Sequence, residues 1–170
     1  MSNHFELFGL APKYALDGEA LERAWRAVQA SVHPDRYAAA GAAERRAALA
    51  WSARANEAYR MLKDPVERAR HLLELAGVDP KLDTDTAMPE AFLERQLELR
   101  EALAEARAAR DAARLAQLRE EVLAAARAHE AAIAERIDVA RDYAGAAALV
   151  RELQFLRRVA QEIDAAHESA

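Results

Sequence analysis

Pro34 stands between two stretches that are each patterned for a helix, and no other residue restricts the folds open to this chain as much. Before it, Leu21, Trp25, Val28 and Val32 recur at steps of four, three and four residues, an apolar stripe at the 3.6-residue period. After it, a helical run passes through Leu49, Ala53, Asn56, Tyr59 and Leu62. Proline lacks the N–H that a helix needs and drives the preceding residue out of the helical region. The two helices must therefore meet at a bend that presents His33 and Asp35 on either side of Pro34.

Other boundaries are written in the same local chemistry. Asp17 predicts an N-cap for a helix from about Glu19 to Val32, after a short opening helix or turn around Phe5 to Ala11. The next helix is expected from about Ala42 to Leu62. Asp64, Pro65 and Glu67 then combine a capping side chain, a proline at the first helical position and an acid placed for a capping box. That short helix should stop near Ala76, with Gly77 at its C-terminal end. Residues 77–88 hold turn formers and no stripe, so they are expected to link two domains, 1–76 and 89–170. In the second domain the pattern predicts helices over about 89–109, 111–139 and 144–168, with Asp111 capping the second. Five glycines, five prolines and no run of strand alternation make the expected class all-α, with an antiparallel three-helix bundle at the C-terminal end.

Charge and composition narrow the functions. Residues 1–76 balance at +1 and residues 77–170 at −6, so the second domain lacks the basic face that binding a polyanion requires. No window is apolar enough to span a membrane, and the N-terminus has no basic segment followed by an apolar one. Without cysteine there is neither a disulfide nor a thiolate site, and a reducing compartment is permitted. His4, His33, His71, His129 and His167 show no ligand spacing, and no metal is expected; they are read as solvated or structural, His129 included. His33 and Asp35 could serve as base and orienter, yet no nucleophile accompanies them, and an enzyme is not expected.

Two surfaces remain as candidates. One is the bend, His33, Pro34 and Asp35, with Arg26 and Arg36 beside it and Arg23 a turn away. The other lies on the helix after Pro89. There Phe92, Gln96, Leu99 and Leu103 share about 60° of arc at 100° per residue and should face the core, whereas Leu93 and Leu97 point elsewhere, beside Glu94, Glu98, Glu101 and Glu105. On the last helix Leu149, Leu153, Leu156 and Ile163 form the core stripe and Phe155 points about 120° away from it. Two leucines and a phenylalanine off their stripes, rimmed by carboxylates, suggest an apolar docking spot.

The bend, the string from Asn56 to Ala69 and the order of elements resemble a J domain, the module that docks on the ATPase part of a DnaK-type chaperone and promotes hydrolysis there. That resemblance implies Asp35 as the critical anion, His33 and Pro34 as the residues that fix the loop, and Arg26 and Arg36 as charges that steer an acidic partner face. Arg36 stands where lysine is more usual, which keeps the charge and changes its hydrogen-bond geometry. The segment from Phe92 to Leu103, with Phe5 to Leu10 and Leu153 to Leu156, resembles the HscB family, J-type co-chaperones of iron–sulfur cluster assembly. The resemblance covers nearly the whole chain, which lacks the Gly/Phe-rich segment and zinc repeats of general DnaJ proteins. It implies an HscA/DnaK-type chaperone and an IscU-type scaffold protein as partners, a cytoplasmic monomer, and no cofactor, the chemistry residing in the chaperone. The scaffold-binding positions it implies are Leu93, Glu94, Leu97, Glu98, Glu101, Glu105 and Phe155, of which Glu94 replaces a typically apolar residue.

Overall fold

The computed structural model describes residues 3–32, 37, 41–82 and 88–168, and among them every regular element is a helix. The chain divides into two compact units, 1–77 and 78–170.

In the first unit α1 (His4–Leu7), α2 (Gly18–Ser31), α3 (Ala42–Lys63) and α4 (Pro65–Leu75) surround Phe5, Leu21, Leu62 and Leu73, all fully buried. The side chains of Asp17 and Asp64 cap α2 and α4, each accepting two backbone N–H groups of the first turn. The capping box at Asp64 is only half made. The Asp64 N–H is already given to the Arg60 carbonyl, because the same residue ends α3 and begins α4, and Glu67 lies 3.6 Å from Arg70 instead. Gly77 ends α4 with φ +76°, a conformation that favours glycine.

Helices α2 and α3 form an antiparallel hairpin, read directly from who meets whom. Trp25 donates from Nε1 to Asn56 Oδ1 at 2.9 Å and stacks on Tyr59 at 4.8 Å, while Gln29, one turn later on α2, pairs with Ser52, one turn earlier on α3. The C-terminal end of α2 and the N-terminal end of α3 therefore lie at the same end of the hairpin. The run through Leu49 to Leu62 is helical as expected, and on it Ala48, Ala55, Ala58 and Leu62 face inward while Leu49 and Ala53 face solvent. Alanines let the neighbouring helices approach α3 closely, so the packed face is the small one and the bulkier Leu49 is left outside.

In the second unit α5 (Glu90–Ala109), α6 (Ala112–Ala134) and α7 (Tyr143–Glu168) form the three-helix bundle. Asp111 caps α6 by accepting the Arg114 N–H at 2.9 Å, after Arg110 turns the chain with φ +51°. The expected single helix to residue 139 is not uniform: beyond Ala134 it widens into a π-helical stretch, Glu135–Ala140, that buries Ile137 and leaves Val139 outside. Asp142 then accepts the Gly145 N–H at 2.9 Å in the first turn of α7, where its carboxylate lies close over the glycine. Of the expected linker, residues 78–82 belong with the second unit, where Arg151 donates to the Pro80 carbonyl at 3.1 Å. The core of the bundle is Leu115, Leu118, Ile133, Val150, Leu153 and Ile163; Leu149, expected among them, is only half-buried.

Candidate functional site

On the first unit, His33, Pro34, Asp35 and Arg36 lie outside the described residues. What the structure fixes is their frame, the last turn of α2 and the start of α3. Arg26 is exposed on α2 and is paired with Glu22 one turn earlier, and Arg23 is similarly paired with Glu19 at 3.4 Å. Exposed pairs of this kind are worth about 0.5 kcal/mol, so both guanidinium groups can be drawn to a partner at small cost. Two features escaped the sequence reading. Val32, Tyr37, Arg45, Ala48 and Leu49 line a small depression of about 80 Å³, and Trp51 is exposed with the Arg54 guanidinium 5.6 Å over its ring.

On the second unit, α5 is a helix only loosely seated on its neighbours. Its fully buried residues are Leu103 and Ala106, both in the C-terminal half. Toward the N-terminal end Phe92, Gln96 and Leu99 are half-buried, as the angular reading requires, while Leu93 and Leu97 are 46% and 61% exposed. Glu94, Glu98, Glu101 and Glu105 are all exposed, and at 100° per residue they fall within about 60° of arc next to the leucines. The result is an apolar ridge with an acidic flank.

Phe155 takes a different place. It is half-buried on α7, meets Phe92 edge-on at 5.8 Å with the rings at 79°, and has the Arg100 guanidinium 5.5 Å over its face. Phe155, Phe92 and Glu98 line a groove of about 310 Å³ among the three helices; Leu93 and Leu97 do not. Arg100 joins the two features, since on the helical wheel it lies about 20° from Leu93 on the side of the core stripe.

His129, expected to be unremarkable, is at the base of this groove. Its Nδ1 meets the Ala125 carbonyl at 2.8 Å and its Nε2 meets Glu152 Oε2 at 2.8 Å, while its ring is 6.0 Å from that of Phe92. The Ala125 carbonyl can only accept, so Nδ1 donates, and one further proton lies between Nε2 and the carboxylate. Glu152 is buried, within the arc of α7 that also holds Leu156 and Ile163. A carboxylate in a core stripe must have a partner, and that was the signal available in the sequence. Among the described residues no group of three or more His, Asp or Glu side chains could hold a metal ion, and no helix is long and apolar enough to cross a membrane.

A family model described as the HSCB C-terminal oligomerisation domain matches residues 88–164. The co-chaperone protein HscB homolog of Bordetella avium is 53% identical over 163 residues, 96% of either chain, and that of Burkholderia thailandensis is 48% identical over 96% of this chain and 93% of its own. Among solved structures, chaperone HscB from Vibrio cholerae is 34% identical and superposes with a TM-score of 0.86, each chain covered to 99%. Human co-chaperone HscB, 23% identical, shares the fold with a TM-score of 0.88 over 97% of this chain and 82% of that one.

Proposed function

The chain belongs to the HscB family of co-chaperones, and from that premise we propose that it stimulates the ATPase of an HscA/DnaK-type chaperone and delivers an IscU-type scaffold protein to it during iron–sulfur cluster assembly. The first unit acts on the chaperone through His33, Pro34 and Asp35, with Arg26 and Arg36 steering the encounter. The second holds the client by Leu93, Leu97 and Phe155, with Glu94, Glu98, Glu101 and Glu105 as the acidic flank. The observation that carries this reading is the ridge on α5: two leucines left in water, on the segment whose residues resemble the family's client-binding helix.

On this reading the protein is no enzyme; it works in the cytoplasm as a monomer, and its two parts, 1–76 and 89–170 joined by 77–88, have separable tasks. Steady-state ATPase of an HscA-type chaperone, measured with this protein in the presence and absence of the scaffold, tests it. Stimulation by the protein and further synergy with the scaffold are expected, and a fragment of residues 1–76 should keep the first and lose the second. A chaperone rate unaffected by the protein would refute the proposal. Stimulation without synergy would leave a J protein serving another client.

A further inference from the structure

We propose that the groove between α5, α6 and α7 is a socket for one aromatic side chain of the scaffold protein. The inference rests on the reading that the second unit holds that client, and it adds a second point of attachment to the Leu93/Leu97 ridge.

Phe155 carries the argument. It is the one client-binding position expected outside α5, and it sits in the wall of the groove, edge-on to Phe92. A client that reaches Phe155 therefore reaches the groove. The groove stays open because the first half of α5 buries no side chain completely, so that Phe92 and Leu99 line one wall with free apolar surface. Its floor is made by Leu118 and Val122, both buried, and by the His129 ring. Both nitrogens of His129 are engaged, by the Ala125 carbonyl and by Glu152, so the ring offers the groove its π-surface and no free polar hook.

Chemistry and size select the occupant. Arg95, Glu98, Arg114 and Glu121 form a rim of both signs, with Arg114 and Glu121 paired at 3.4 Å, so the insert needs no charge of its own. At about 310 Å³ the space is at the small end of ligand pockets, suited to a side chain and too small for a helix. Phe92 and Phe155 are already in T-shaped contact, and a third ring can extend that arrangement, which aromatic quadrupoles favour. Aromatic anchors seated in such pockets dominate protein interfaces.

The test fills the socket. Ala102 on α5 and Ala125 on α6 both line it, so Ala102→Leu and Ala125→Leu should occupy the space without removing any existing contact. Calorimetric titration with an IscU-type scaffold is expected to show at least a tenfold rise in Kd for each variant, with melting temperature unchanged or higher and scaffold-independent ATPase stimulation intact. The milder Ala125→Val accompanies them in case leucine cannot be accommodated. Wild-type affinity in any folded, filled variant overturns the socket while leaving the ridge in place. Absence of binding by the wild-type protein overturns the functional reading and this inference together, and a loss confined to Leu97→Ala would assign the client to the ridge alone.

Discussion

His71 Nε2 accepts the backbone N–H of His4 at 3.1 Å, a bond that helps tie the first helix of the chain to α4. His71 is 2% exposed, and burial, reinforced by the neighbouring His4, lowers its pKa to about 4. The bond exists only while Nε2 is unprotonated.

Stability of the first unit should therefore fall in acid. The unfolded chain takes up a proton on His71 as the pH drops below about 6.5, and the folded chain does so only near pH 4. Folding is thus favoured most above about pH 6.5 and weakens toward pH 4, by at most about 1.4 kcal/mol per pH unit from this group. Burial lowers His4 in the same direction. Both tryptophans, Trp25 and Trp51, belong to this unit, so urea unfolding followed by tryptophan fluorescence reads it alone. In His71→Gln, which keeps an acceptor and cannot titrate, the slope between pH 6.5 and 4 should flatten; an unchanged slope would assign the acid sensitivity elsewhere.

In the segment that joins α2 to α3, Asp35→Asn and His33→Gln should abolish chaperone stimulation and barely alter folding. Surface substitutions usually change stability by less than about 0.5 kcal/mol. Circular dichroism should match the wild type while the ATPase rate drops to that of the chaperone alone. Full stimulation by both variants would remove the loop from the mechanism.

Leu93 and Leu97 should separate binding from stability, and Phe155 should not. The leucines stand in solvent, so truncation to alanine should leave the melting temperature nearly unchanged while each costs on the order of 2 kcal/mol of scaffold affinity, roughly thirtyfold. Phe155→Ala also forfeits its contact with Phe92, an aromatic pair worth about 0.5–1.5 kcal/mol to the fold. Glu98→Ala with Glu101→Ala should slow association and flatten its salt dependence, the behaviour of exposed rim charges. Stopped-flow binding at several ionic strengths measures this, and a purely dissociative effect would contradict it.

Glu152→Ala should destabilise the bundle by about 1–3 kcal/mol, because it removes the partner of the largely buried His129 Nε2. Glu152→Gln can still donate an amide hydrogen to that nitrogen and should recover most of the loss. Chemical denaturation followed by circular dichroism compares the two, and equal destabilisation by both would mean that the carboxylate matters for something other than this bond.

Helix positions were legible in the sequence because their causes are local. The stripe ending at Val32, the caps at Asp17, Asp64 and Asp111, and the stop at Gly77 each act within a turn or two of the residue concerned. The exposure of Leu93 and Leu97 was legible for the same reason, since the period of a helix fixes which residues share its buried face. What occupies the other side of a contact is not periodic and could only be decided by packing. Thus the inner face of α3 fell largely to alanines, Phe155 was set edge-on against Phe92 in the wall of a groove, and the half-seated α5 left that groove open. The pairs His4–His71 and His129–Glu152 join residues 67 and 23 positions apart, and no local propensity links such residues. They are found only when whole helices dock, because burial first removes water as a partner and only then obliges each polar group to find another.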